Sequence, residues 1–128
     1  MLLPTSPLRK TSTLDNAIEK FLECRSNYKS LVSVCSIGKS EFHLRKFSGN
    51  TLIPFKKSTN YNIQRQNQSN LYLLNGSIYI SMAKTLIDAK TFHFDELTTY
   101  FEMDKLESID VDSIDDILLA EYFLKKES

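Results

Sequence analysis

The strongest constraint on the fold is a nearly continuous apolar run from Leu31 to Ile37, with the sequence LVSVCSI. Its β-branched residues and its short length favour a strand over a helix. A strand that is apolar on both faces must be covered on both, which is typical of a parallel sheet flanked by helices. The run therefore indicates an α/β fold.

A helix is predicted between this strand and the start of the chain. Its apolar residues recur at helical spacing, so one of its faces is apolar. Met1 to Leu3 has the pattern of the end of a buried strand. A strand, a helix and a second strand predict a βαβ unit with a parallel pair. The helical apolar residues are Leu14, Ala17, Ile18, Phe21 and Leu22.

Further elements follow from alternation, turn residues and helical spacing. A long polar stretch rich in Asn, Gln and Ser predicts a loop at Ser58–Asn70. The predicted strands are Phe42–Phe47, Thr51–Phe55, Asn75–Met82 and Thr99–Met103, and the predicted helices are Ala83–Asp88 and Ser113–Lys125.

The composition narrows the function classes. The chain has 128 residues, which fits one domain, and its 16 basic and 16 acidic residues cancel. This balance argues against a nucleic-acid-binding protein. No apolar run reaches the length of a membrane span, and Met1–Leu3 has no basic segment of a signal peptide. We expect a cytoplasmic protein in which Cys24 and Cys35 are reduced.

Four short polar stretches carry residues suited to ligand binding, and each also has a plain structural interpretation. Pro4–Arg9 follows a predicted strand end, where open α/β sheets bind ligands, but two prolines also suit a stiff loop. Arg65-Gln66 offers an arginine fork for a carboxylate, although a lone arginine is usually solvated. Asn75-Gly76 suits a ligand contact or an ordinary turn.

The fourth stretch is Asp110-Val111-Asp112. Two carboxylates two residues apart face the same side of a strand and suit Mg²⁺, which prefers oxygen ligands. An aspartate before a helix is equally explained as a cap, and both Asp112–Asp115 and Ser113–Asp116 have capping-box spacing. Spacing alone favours the cap.

Taken in chain order, these stretches resemble one known family. Met1–Arg9 reads MLLPTSPLR, Ser30–Lys39 reads SLVSVCSIGK, Gln64–Ile80 reads QRQNQSNLYLLNGSIYI, and Ser108–Asp116 reads SIDVDSIDD. They are similar to the LLQPTSPLR, SVVSVCEVEK, RRQDLPKVYRPNGAIYI and SIDIDTELD segments of acylneuraminate cytidylyltransferases. The likeness spans nearly the whole chain. It implies a Rossmann-like nucleotide-diphospho-sugar transferase fold, with core pieces at about 1–39 and 101–128.

The resemblance also implies roles for site residues. Asp110 and Asp112 match the aspartates associated with a catalytic Mg²⁺. Arg9 matches a residue of the active cleft and is expected to be catalytic with them, and Ser6 lies in the same loop. The stretch near the sugar acid is matched by Arg65, Gln66, Tyr72 and Asn75, with Arg65 placed to pair with the carboxylate. The region at about 40–100 resembles a β-rich dimerisation arm, which implies a homodimer.

The implied reaction joins an acidic sugar to CMP from CTP, with release of pyrophosphate. Leu3 stands where the sialic-acid enzymes commonly have Gln, so a legionaminate- or pseudaminate-like nonulosonate fits as well as sialic acid. No stretch resembles the family's glycine-rich PARGGSKGIPRKN loop, which holds the CTP phosphates. The expectation is therefore a partial domain, truncated at the N-terminus and inactive alone. The alternative is a non-catalytic dimerisation or interaction module.

Overall fold

The computed structural model describes residues 1–56 and 70–127. The predicted polar loop therefore lies outside the described residues, apart from Asn70. The chain divides into two compact units. The first comprises Met1–Cys35 and Leu74–Ser128, and the second comprises Ser36–Leu73.

Helices and strands alternate through the first unit, as the sequence predicts. The helices are α1 (Thr11–Cys24), α2 (Ala83–Ala89) and α3 (Ile114–Glu127). The strands are β1 (Ser30–Ser40), β4 (Asn70–Ser81) and β5 (Thr98–Glu102). Parts of β1 and β4 belong to the second unit, which also contains β2 (Arg45–Ser48) and β3 (Thr51–Pro54).

The main sheet confirms the α/β prediction. Its strand order is β4-β1-β5, with β1 in the centre. β1 and β5 run parallel, from the pair Ser30 and Thr98 to the pair Val34 and Glu102. Residues 31–34 of β1 are all buried, which is why this segment is apolar on both faces.

The prediction of a buried strand at Met1–Leu3 is wrong. Leu2 forms an isolated antiparallel bridge with Ile78 of β4, and Met1 exchanges backbone hydrogen bonds with Tyr79. Met1 and Leu2 are 59% and 43% exposed. The parallel partner of β1 is β5, which comes much later in the chain, so the local strand–helix–strand order did not give the pairing.

The core of the first unit forms between α1 and the sheet. It contains Ala17, Phe21, Leu31, Ile78 and Met103, all at most 4% exposed. A fully buried Leu, Ile or Phe side chain stabilises the fold by about 1.5–3 kcal/mol. The predicted apolar face of α1 is thus confirmed at its centre, whereas its flanks remain exposed at Ile18 and Leu22.

The second unit contains the predicted hairpin, with shifted ends. β2 and β3 pair antiparallel around Gly49-Asn50, and Glu41–His43 forms a 3₁₀ turn instead of the start of a strand. The hairpin exposes large apolar side chains, with Phe47 at 84% and Leu52 at 63%. This unit is shorter than the stretch that resembles a dimerisation arm, and that role stays a prediction.

Two further expectations concern the cysteines and membranes. Cys24 and Cys35 are half-buried and are not joined in a disulfide, and their reduced state stays a prediction. Within the described ranges, the helices are too short or too polar to cross a bilayer.

Candidate functional site

Several of the polar residues singled out from the sequence lie near the end of the paired part of β1 and β5. The two strands are parallel, and their pairing ends at one edge of the sheet, at Val34 and Glu102. The Met103 N–H donates to the Val34 carbonyl at 2.9 Å and extends the pairing by one step. Residues 104–112 follow at this edge, where open α/β sheets bind ligands.

Two hydrogen bonds join the Pro4–Lys10 loop to the segment that carries the two aspartates. The Val111 N–H donates to the Thr5 carbonyl at 2.8 Å, and the Lys10 N–H donates to Glu107 Oε2 at 3.2 Å. A groove of about 320 Å³ opens beside this junction. Its walls are Pro4, Thr5, Pro7, Val111, Ile117, Ala120, Glu121 and Leu124.

Arg9 is anchored through one of its nitrogens. Nη1 donates to the Ser77 carbonyl at 2.8 Å, to Ser77 Oγ at 3.1 Å and to the Leu3 carbonyl at 3.3 Å. These bonds fix the guanidinium between the N-terminal segment and β4. Nε and Nη2 have no hydrogen-bond partner in the part of the chain that the structure describes, so the fork keeps donors for an anion.

Ser6 lies in the same loop and is 5% exposed. Its hydroxyl makes no hydrogen bond to any residue in the described ranges. Although the residue is buried, its hydroxyl oxygen is not fully buried, so this oxygen is a candidate for a ligand contact.

Asn75 is buried, with 7% of its surface exposed, and its amide is fully engaged. Oδ1 accepts hydrogen bonds from Ser33 Oγ at 2.5 Å and from the Ser77 N–H at 3.2 Å. Nδ2 donates to Ser108 Oγ at 2.8 Å and to Met103 Sδ at 3.4 Å. Two donors and two acceptor positions are the full capacity of this side chain, so a substrate would have to compete for them.

Gly76 has a left-handed backbone conformation. Its φ is +71°, and a Cβ atom built there would lie 3.2 Å from Leu3 Cδ1. Glycine is therefore required both for the left-handed conformation and for the close approach of the N-terminal segment to β4.

Asp110 and Asp112 have different surroundings. Asp110 Oδ1 is buried without a hydrogen-bond partner among the described residues, whereas Asp112 is exposed. An unpartnered buried carboxylate oxygen is costly, because it has lost its hydration without gaining a partner. This oxygen is suited to a cation.

The cap of α3 is made by Ser113 and Asp116, so the alternative role of Asp112 as the cap is not what the structure shows. The Ser113 N–H and hydroxyl donate to Asp116 Oδ2 at 2.8 and 2.6 Å, and the Asp116 N–H donates back to Ser113 Oγ at 3.3 Å. The Ser113 hydroxyl, followed by the backbone N–H of Asp112, holds the pKa of Asp116 below its ordinary value of 3.8. The Asp112 carboxylate is left without a capping bond in the described chain.

The donors at this edge fit Mg²⁺ in kind and in number. Across residues 1–56 and 70–127, no group of three or more His, Cys, Asp or Glu side chains is placed to hold a metal. Mg²⁺ commonly takes one or two carboxylates and completes its shell with water and substrate phosphates. Two aspartates two residues apart, one of which has an oxygen without a partner among the described residues, are compatible with that pattern.

Three further predicted site residues remain, namely Arg65, Gln66 and Tyr72. Arg65 and Gln66 lie outside the described residues. Tyr72 is 44% exposed and belongs to the second compact unit. Their roles stay predictions.

Sequence reasoning missed the serines that connect the site. Ser33 of β1 accepts the Ile78 N–H at 2.8 Å while donating to Asn75, and Ser108 receives the other end of that amide. Ser77 holds Arg9. The available signal was the presence of serine inside the apolar run of β1, since a hydroxyl buried there requires a partner.

Known proteins include a relative of this chain. No family model matches the chain. The chain is 34% identical over 129 residues to CMP-N,N'-diacetyllegionaminic acid synthase from Legionella pneumophila. The match covers 98% of this chain. The match supports the resemblance to the acylneuraminate cytidylyltransferase family. The resemblance seen in the sequence is thereby confirmed.

The match also limits which properties of the relative can be assigned to this chain. The chain spans 53% of the length of that relative. The activity and substrates of a complete enzyme are therefore matters of proposal.

Proposed function

We propose that this chain contributes to the activation of an acidic sugar as its CMP derivative. In the reaction, a hydroxyl oxygen of the sugar acid forms a bond to the α-phosphorus of CTP. The bond from that phosphorus to the bridging oxygen breaks, and pyrophosphate leaves. The observation that carries the proposal is the match along 98% of the chain to a CMP-sugar-acid synthase.

The proposal concerns a complete cleft to which these residues contribute, since the chain spans 53% of the relative's length. It includes the Rossmann-like nucleotide-diphospho-sugar transferase fold, of which the parallel β1–β5 pair and the flanking helices would form part. Holding the CTP phosphates falls to residues other than those of this sequence, in which no glycine-rich phosphate loop is found.

Asp110 and Asp112 are the proposed ligands of Mg²⁺. When bound, Mg²⁺ would neutralise phosphate oxygens of the nucleotide. Asp110 gives the buried, unpartnered Oδ1, and the exposed Asp112 gives a second carboxylate. Arg9 donates from Nε and Nη2 to an anionic group, while its Nη1 keeps the guanidinium in place. Ser6 offers a hydroxyl in the same loop.

The substrate class is a nonulosonate. The relative's name specifies a diacetylated legionaminic acid, and a legionaminate-like sugar is the first substrate to test. Arg65, Gln66 and Tyr72 are proposed to bind the sugar acid, with the guanidinium of Arg65 on the carboxylate, because a planar fork matches a carboxylate in two hydrogen bonds.

We also propose that the protein self-associates through the β2–β3 hairpin. Phe47 and Leu52 are paired across this short two-stranded sheet and are 84% and 63% exposed, and Phe55, directly after β3, is 61% exposed. Apolar side chains gathered on a strand edge favour association with another surface. This is the observation that favours the alternative function of a dimerisation module.

The metal role is tested by the effect of Mg²⁺ on thermal stability, which requires no turnover. A ligand at about a hundred times its dissociation constant stabilises the folded state by roughly 2.7 kcal/mol. We expect Mg²⁺ to raise the Tm of the wild-type chain and to have little effect on Asp110→Asn. Without metal, Asp110→Asn should be as stable as the wild type or more so, because it removes an unpartnered buried charge.

Asp112→Asn should also lose the Mg²⁺ effect while keeping the metal-free Tm, since Ser113 and Asp116 form the cap. Asp115→Asn is the matched control, because it removes an exposed carboxylate from the first turn of α3. An equal Mg²⁺ effect in all four proteins would exclude the proposed site.

Activity is tested in a fusion to the portion of the Legionella relative that the match does not cover. Formation of the CMP-sugar from CTP and N,N'-diacetyllegionaminic acid is expected, with Asp112→Asn losing nearly all turnover. A fusion that binds both substrates but forms no product would contradict the catalytic proposal and favour the interaction module.

A further inference from the structure

A chain of hydrogen bonds runs from the buried centre of the sheet to the more exposed segment that carries Asp110. Ser33 Oγ on β1 donates to Asn75 Oδ1, and Asn75 Nδ2 on β4 donates to Ser108 Oγ at 2.8 Å. Ser108 Oγ in turn donates to the Asp104 carbonyl at 2.7 Å. The chain thus connects two neighbouring strands to the turn that follows the third.

The turn from Asp104 to Ser108 is itself closed by local bonds. The Leu106 N–H donates to Asp104 Oδ1 at 2.8 Å, and the Ser108 N–H donates to the Asp104 carbonyl at 3.0 Å. Asp110 follows two residues later, and the next residue, Val111, is bonded to Thr5. The backbone around Asp110 is therefore held from both sides.

We propose that Asn75 and Ser108 are positioning residues for Asp110. They fix the approach of the chain to the sheet edge and thereby keep Asp110 Oδ1 buried without a partner and available to a cation. The inference rests on the proposed Mg²⁺ site. It explains why the amide of Asn75 is directed into the protein with all of its hydrogen-bonding capacity used.

The energetic argument is that the carboxylate is ordered and desolvated before the metal binds. A carboxylate that must be ordered and desolvated on binding loses affinity for the metal, whereas one fixed beforehand does not. Partners that orient a ligand without touching the metal typically contribute 10–100-fold in metal affinity. The Asn75–Ser108 hydrogen bond links the sheet to the segment that carries Asp110. Its loss should therefore weaken metal affinity more than it lowers the stability of the fold.

Ser108→Ala is the informative variant, since Asn75→Ala would leave Ser33 and the Ser77 N–H unsatisfied and endanger folding. Two measurements are made on the full chain. Hydrogen exchange of the Val111 amide reports the position of the segment through its bond to Thr5. Mn²⁺ affinity, followed by electron paramagnetic resonance, reports whether the site is ordered for binding a cation.

We expect Ser108→Ala to lower the exchange protection of Val111 and to weaken Mn²⁺ binding about tenfold. Ser108→Thr keeps the hydroxyl and should restore both. Ser30→Ala is the matched control, because Ser30 is a buried serine whose hydroxyl bonds the Phe92 carbonyl and Thr98 at the opposite end of the parallel pair. It should change neither measurement.

The outcomes separate this inference from the proposed function. Unchanged Val111 protection in folded Ser108→Ala would overturn the positioning role, whether or not metal binds. Unchanged Mn²⁺ affinity with reduced protection would also overturn it, because the segment would then move without effect on the site. If the wild type binds no Mn²⁺ and Ser108→Ala still lowers the protection of Val111, Ser108 anchors the segment as described. The metal site and the positioning role would both be refuted.

Discussion

Replacing Gly76 with alanine tests how the N-terminal segment is held against β4. Gly76 has a φ of +71°, and its missing side chain leaves room for Leu3, whose Cδ1 would lie 3.2 Å from a new Cβ. The substitution therefore introduces two separate effects: backbone strain and a tight contact. Both act next to the strand that anchors Arg9 and Asn75.

The expected magnitude follows from these two effects. A left-handed conformation costs an L-residue about 1–2 kcal/mol. The contact adds a smaller amount, since the end of a leucine side chain can move by a few tenths of an ångström. The gain from a stiffer unfolded chain, about 0.4–1 kcal/mol, offsets part of this. We expect a net loss of about 1–2 kcal/mol, equivalent to a fall in Tm of roughly 3–8 °C.

Thermal unfolding followed by circular dichroism measures the loss, and a double-mutant cycle separates its parts. In a Leu3→Ala background the contact is absent, so Gly76→Ala should cost less by about 0.5 kcal/mol or more. Gly49→Ala carries a similar strain at φ +58° with no atom within 4 Å of its Cβ. A Gly76→Ala protein as stable as the wild type would refute the reasoning. An identical loss of stability in both backgrounds would show that the contact with Leu3 contributes nothing.

Two further predictions concern α3 and the hairpin. Ser113→Ala should raise the pKa of Asp116 towards its ordinary value of 3.8, because the largest cause of the lowered pKa is the Ser113 hydroxyl. Because the pKa of Asp116 is lower in the folded state, its ionised carboxylate stabilises the fold above the unfolded-state pKa, and this stabilisation is lost as the pH falls through the folded-state pKa. The stability difference between Ser113→Ala and the wild type should therefore shrink below about pH 3.8. Carbon-13 titration of the carboxyl group checks this, and an unchanged pKa would contradict it. Phe47→Ser with Leu52→Ser should shift any dimer to monomer in light scattering at micromolar concentration, while a wild type that is already monomeric there would remove the proposed interface.

Much of the secondary structure is determined by local sequence. The run from Leu31 to Ile37 gives β1, because a β-branched apolar stretch has few alternatives inside a folded chain. Helical spacing gives α1 and α3, and the Ser113–Asp116 pair gives the cap of α3. The family was also readable from sequence, since its motifs are short continuous segments in a fixed order.

The site required tertiary structure. Asn75 had the residue type of a ligand contact, yet its partners Ser33 and Ser108 lie 42 and 33 positions away in the chain. Met1–Leu3 had the apolar character of a buried strand, but its antiparallel bridge is to Ile78. Periodicity reports which face of an element is apolar. It does not report which distant groups that face will meet, because buried hydrogen bonds are chosen when the strands pack together.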